Sequence, residues 1–306
     1  MGLLGLKELL KTHPQVVNEY RQLLVFCLKE KDWTLKHRSL AIILDLVHSG
    51  NLQSISKLLF EQLEKPDESS SETSTSSSAE ANIELIEFEK RFGRTVISRL
   101  LEICCNERYS ILSDFTWFSN FLFSLITRPK LIHYLDYDLA VSISNIFMDI
   151  ALRVPDIIRT LGKIMKQILV DALSGNAHQA LMESDAKHVL FSFGWLIGEL
   201  SRSSFFSQDE CFEILFSMLN YPDSIRVPPR VLAVFVSAAT KLYISLLKII
   251  LQNSAVIGSD GSSWSSDISK LNSFVLRALE KLGKSVGHEV QERVTRPSCL
   301  VLIKSF

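Results

Sequence analysis

Seven histidines and five cysteines are the side chains best suited to chemistry in this 306-residue chain, and their spacing argues against most of it. A structural zinc site needs Cys or His ligands paired at spacings of two to four residues. His13, His37, His48, His133, His178, His188 and His288 never come closer than ten residues, and none has a cysteine at that spacing. Cys104 and Cys105 are adjacent, but successive side chains on a helix point in diverging directions, so packing is expected rather than a redox pair. Cys27, Cys211 and Cys299 also lie in apolar runs, where a thiol behaves as a small hydrophobe in a reducing compartment. No GxGxxG or GxxxxGK[ST] loop is present to cradle a phosphate, and no GxSxG elbow presents a nucleophile. The expectation is a protein that is not an enzyme, with no catalytic, cofactor-binding or metal residues.

Two groups of charged or hydroxylated residues remain. Ser69 and Ser77 each precede a glutamate by three positions, the spacing an acid-directed kinase uses. They lie in Pro66–Ala81, PDESSSETSTSSSAEA, which has four acidic and no basic residues and too little apolar surface to order itself. Lys29, Lys31, Lys36, His37 and Arg38 cluster near one turn, interrupted by Glu30 and Asp32, and are read as a solvated turn. Glu199 is different. It falls in an apolar helix, where a carboxylate needs a partner. Arg202 or nearby backbone N–H groups are the expected partners, in a network that pins two helices together.

The elements that position these residues are helices. Hydrophobic residues make up 47% of the chain, while Gly (12) and Pro (8) are scarce. Net charge is −1, so nothing pulls the chain toward nucleic acid or anionic membrane. Leu3–Leu6 is too short for a signal peptide, and Leu242–Leu251, interrupted by Lys248, is about half the length of a membrane span. A soluble intracellular protein is expected.

The opening stretch shows the pattern most clearly. Thr12-His13-Pro14 breaks a first helix, and Val16, Tyr20, Leu23, Leu24, Cys27 and Leu28 build the apolar face of a second. Asp32 caps a third, which is apolar on two sides: Leu35, Ile42, Ile43 and Leu46 on one, Leu40, Leu44 and Val47 on the other. A helix covered on two sides asks for another helix pair stacked upon it. Further helices follow at 52–63, 83–105 (with Ile83 and Ile86 in phase with Val96 and Leu100), 113–126, 138–152, 155–173, 185–200, 208–219 and 227–251. A Ser/Gly-rich linker at 252–267 and a helix at 268–282 come next, and the tail to residue 306 is unassigned. Pairs recur at roughly forty residues, the period of HEAT or armadillo units. The expected fold is an all-α solenoid of antiparallel helix pairs over 1–251, carrying the inserted loop at 66–81.

The residues also carry a resemblance. LLGLKELLKTHPQVV…LLVFCLKEKDWTLKHRSLAIILDLV resembles the middle of the large-chain trunk of the adaptin family, the delta type above others. DFTWF at 114–118 is similar to the family's Asp-x-x-Trp-aromatic motif, carried here by Asp114 and Trp117. GWLIGEL at 194–200 is similar to Trp-x-x-Gly-Glu, carried by Trp195, Gly198 and Glu199. IFMDIALRVPDIIR at 146–159 and PPRVLAVFVSAATKLY at 228–243 follow in the same order. The resemblance implies a scaffold in a heterotetramer with a β-type large chain, a medium chain and a small chain. Such a complex sits peripherally on the cytosolic face of Golgi and endosomal membranes and sorts cargo toward lysosomes or vacuoles. The family trunk starts well before Met1, so the residues members use for membrane and dileucine contacts have no counterpart here. The chain is expected to be part of a trunk, aggregation-prone when expressed alone. The alternative is an unrelated HEAT or armadillo scaffold, a transport receptor or phosphatase scaffold, which would show more regular repeats and Asn/Trp ladders.

Overall fold

A computed structural model describes residues 2–13, 19–30, 32–64, 79–173, 179–200 and 227–254, together with Cys211, Ser269 and Ser273. Every regular element among them is helical. The chain divides into two compact units, 1–135 and 136–306.

The first unit holds α1 (Gly2–Thr12), α2 (Arg21–Lys29), α3 (Trp33–Asp45), α4 (Leu52–Glu64), α5 (Ala79–Cys105), α6 (Phe115–Thr127) and the short α7 (Pro129–Ile132). Local chemistry sets the starts. Asp32 Oδ1 accepts from the N–H groups of Thr34 (2.7 Å) and Leu35 (3.4 Å), satisfying donors that α3 cannot satisfy internally. Asn51 closes the turn before α4, accepting from His48 N–H at 2.8 Å and donating to Leu46 O at 2.9 Å. Pro129 opens α7, where its missing N–H costs nothing.

Alternate helices stack, and they stack in parallel. Trp33 and His37 of α3 meet Phe88 and Phe92 of α5 in ascending order. Phe60 of α4 stacks on Phe121 of α6 at 4.9 Å between centroids, and Glu64 pairs with Arg128 just beyond it at 2.7 Å. This is the arrangement of a layered hairpin array: chain neighbours reverse, and every second helix lies beside its like. The doubly apolar α3 buries Leu40, Ile42, Ile43 and Leu44, as its two stripes require. Between α5 and α6 the backbone turns left-handed at Glu107, Arg108 and Tyr109, with φ of 45°, 57° and 67°. Tyr109 is buried there, against Phe115 and Phe118.

The second unit holds α8 (Tyr137–Arg153), α9 (Ile158–Leu173), α10 (Gln179–Glu183), α11 (Leu190–Leu200) and α12 (Pro229–Ser254). The same rule applies. Tyr137, Ser144 and Phe147 of α8 meet His188, Ser192 and Phe193 in ascending order on and before α11. The Ser144 hydroxyl accepts the Ser192 N–H at 3.1 Å, so a free donor at the start of α11 is satisfied by the neighbouring helix. Both serines are buried. Phe147, Phe193 and Phe235 are fully buried and tie α8, α11 and α12 into one core.

Some expected features differ in detail. Residues 79–81, placed in the inserted loop, open α5; the rest of that loop, Ser69 and Ser77 included, lies outside the described residues. Ile83 and Ile86, expected on a buried face, are 61% and 54% exposed. Their helix outruns the element that would cover them. α12 continues to Ser254, past the expected start of the linker. The helices expected at 208–219 and 268–282 lie outside the described residues, apart from helical Cys211, Ser269 and Ser273.

Candidate interaction surface

The residues singled out by motif fall into two places, one in each unit. In the first, Asp114 caps α6: its Oδ1 accepts from Thr116 N–H at 2.8 Å and Trp117 N–H at 3.0 Å. This fixes where the first turn of α6 begins and hence where Trp117 stands. Trp117 is half-buried, 5.5 Å from Phe121, and lines an open groove of about 710 Å³ between α4 and α6. Phe60 and Phe121 line the same groove, with Lys57, Glu61, Glu64 and Arg128 among its polar residues. The aspartate sets the helix start, and the tryptophan lies against Phe118 and Phe121 of its own helix at the wall of the groove.

In the second unit, Gly194 and Gly198 face α12 one turn apart. A Cβ on Gly198 would lie 3.1 Å from the Ala238 Cα, and one on Gly194 would lie 2.8 Å from the Phe235 ring. The glycines let two parallel helices approach until backbone meets backbone. Glu199 sits at the edge of this seam, accepting a hydrogen bond from Lys241. The expected helix-pinning network is therefore present, but its cation comes from the next stacked helix; Arg202 lies outside the described residues. Trp195, on the same helix, is half-buried. The motif Trp195-x-x-Gly198-Glu199 thus combines a close approach with an ion pair that fixes its register.

Two residues of the same kind were missed by sequence. Gly194 belongs with Gly198, and the four-residue spacing of two glycines on an apolar helix was the available signal. Gly93 accepts the Tyr134 ring against its backbone, where a Cβ would lie 2.4 Å from Cδ1. Tyr134 then donates to Leu63 O at 3.3 Å, which links α4, α5 and the end of the unit. No local pattern announces that contact.

The titratable residues point to packing. Cys104 is fully buried, and burial, reinforced by Cys105, pushes its thiol up to about 12. His188 is held below its ordinary range by burial, with Lys187 and Arg230 adding to the effect and Asp185 opposing it. In the basic cluster, Lys36 lies 4.4 Å over the Trp33 ring of its own helix, and His37 meets Phe92 of α5 edge-on, so one of its five members makes the α3–α5 contact directly. Among the described residues, no group of three or more His, Cys, Asp and Glu is placed to hold a metal, and no helix is long and apolar enough to cross a membrane.

Parallel stacking of alternate helices, sealed by glycines and capped ion pairs, defines a helical-repeat protein of the α-solenoid class. The model for the adaptin N terminal region matches residues 1–296, and the chain belongs to that family. It is 24% identical over 302 residues to AP-3 complex subunit delta-1 of Bos taurus, covering 98% of this chain and 21% of that protein. It is 24% identical over 202 residues to AP-3 complex subunit delta of Dictyostelium discoideum, covering 66% of this chain and 15% of that protein. The Arabidopsis thaliana AP-3 complex subunit delta is 23% identical over 248 residues, covering 81% and 24%. A homology model of the full-length AP-3 complex in an intermediate open conformation contains a chain of the same fold, with TM-score 0.66 and 17% identity over 96% of this chain and 46% of that one. The chain thus spans about a fifth of the length of the curated relatives it matches.

Proposed function

We propose that this chain is a non-catalytic scaffold subunit of a vesicle-coat adaptor complex, the delta-type large chain or part of one. The supporting observation is the family match across 1–296 together with three relatives that are delta subunits of AP-3 complexes. Its partners on this reading are a β-type large chain, a medium chain and a small chain. It is cytoplasmic and reaches Golgi and endosomal membranes peripherally, through the assembled complex. Its work is to hold the cargo-reading chains in place during transport toward lysosomes or vacuoles. Asp114, Trp117, Trp195, Gly198 and Glu199 serve this function indirectly, by fixing the spacing between stacked helices.

Affinity purification of the endogenous gene product followed by mass spectrometry tests the reading. Recovery of β-type, medium and small adaptin chains in comparable amounts is expected. Their consistent absence would overturn it.

A further inference from the structure

Trp33 is the first residue of α3, and its ring lies 5.9 Å from those of both Phe88 and Phe92 on α5. Because α3 and α5 run parallel, α3 has no residues left to cover anything N-terminal to Phe88. Residues 79–87 of α5 therefore extend beyond the start of their layer neighbour by roughly 13 Å at the α-helical rise. Residues 83–87 are all exposed there, including Ile83 (61%), Leu85 (44%) and Ile86 (54%). At about 100° per residue, Ile83 and Ile86 lie about 60° apart and form one stripe, with Leu85 about 100° beyond Ile86 and with Glu87 and Glu84 on the other flank of Ile83.

Charge selects the occupant of this face. Glu84 and Glu87 place two carboxylates on the overhang, with no basic residue between Ile83 and Lys90. An anionic membrane surface repels such a helix. A protein groove with an apolar floor and a rim of Lys or Arg complements it. We propose that the N-terminal overhang of α5 is a docking helix, inserted apolar side down into a basic-rimmed groove on another chain of the adaptor assembly. Ile83 and Ile86, one turn apart, are its anchors, and the glutamates steer it. This rests on the adaptor reading given above.

The test uses the full chain co-expressed with the β-type, medium and small chains. A photo-crosslinking amino acid replaces Ile83, and a second preparation carries it at Leu152, an exposed position on α8 (68%). Crosslinking from position 83 to one co-purifying chain is expected, well above the Leu152 level. The double variant Ile83→Ser/Ile86→Ser should weaken association roughly tenfold or more with unchanged helicity, since both residues lie outside the core. Glu84→Lys/Glu87→Lys should weaken it too, with a reduced dependence on salt. An assembly that forms while position 83 crosslinks no better than Leu152, or that tolerates both double variants, overturns the docking helix and leaves the adaptor reading standing. Failure of the unsubstituted chain to recover any partner overturns both. Flotation on phosphatidylserine vesicles that the Ile83→Ser/Ile86→Ser variant abolishes would overturn the docking helix in favour of a membrane contact.

Discussion

Lys241 donates a hydrogen bond to the Glu199 carboxylate from forty-two residues further along the chain, joining α11 to α12 at the edge of their glycine seam. Both side chains keep some solvent contact, at 28% and 30% exposure. The pair therefore sets register more than it adds stability. Glu199→Ala and Lys241→Ala are each expected to cost about 1 kcal/mol in urea unfolding, with a coupling energy below about 1 kcal/mol at physiological salt.

The seam itself should be far less tolerant. Gly194→Val and Gly198→Val drive a side chain into the Phe235 ring or the Ala238 backbone, and each should cost about 1–3 kcal/mol in the same assay. Gly5, in the interior of α1, has nothing within 4 Å of where a Cβ would stand. Gly5→Ala is expected to raise helicity and to stabilise by up to about 1 kcal/mol.

Glu107 and Arg108 occupy left-handed backbone that L side chains seldom adopt. Relief of that conformation should make Glu107→Gly or Arg108→Gly stabilising by about 1 kcal/mol, read as a rise in thermal midpoint. A fall would show that side-chain contacts in this turn outweigh the backbone term.

Cys104 and Cys27 should separate cleanly by alkylation. With its thiol pushed up to about 12 and buried, Cys104 is expected to resist iodoacetamide at pH 8 in the native protein, while half-buried Cys27 is modified. Peptide mass spectrometry after a timed reaction reads both sites. Denaturant should make them equally reactive.

His188 predicts a pH response of definite sign. Its folded pKa lies below the ordinary 6.5, so the folded unit binds fewer protons than the unfolded chain as pH falls through 6.5 toward the folded value. Stability contributed by the neutral ring is present above 6.5 and declines across that window. His188→Gln should flatten that part of the stability profile, measured by chemical denaturation between pH 5 and 7.5.

Much of this fold is legible in the residues because its helices are local objects. The apolar stripes of α3 and its Asp32 cap each depend on neighbours within a turn or two. What stayed hidden depends on which helix lies beside which. Ile83 and Ile86 have perfect helical spacing, yet their burial is decided by where Trp33 begins a different helix. Likewise, Glu199 announces that it needs a cation, but Lys241 is identified only by the parallel stacking of α11 and α12. Gly93 gives no hint of the ring that rests on it.

Within each unit, most of the described contacts join helices that are near neighbours in the stack. Ordering can start at whichever adjacent pair forms first and spread outward, and it can also be undone from a free end, one helix at a time. A tether pulling on such a unit should meet a series of small yields rather than one abrupt rupture.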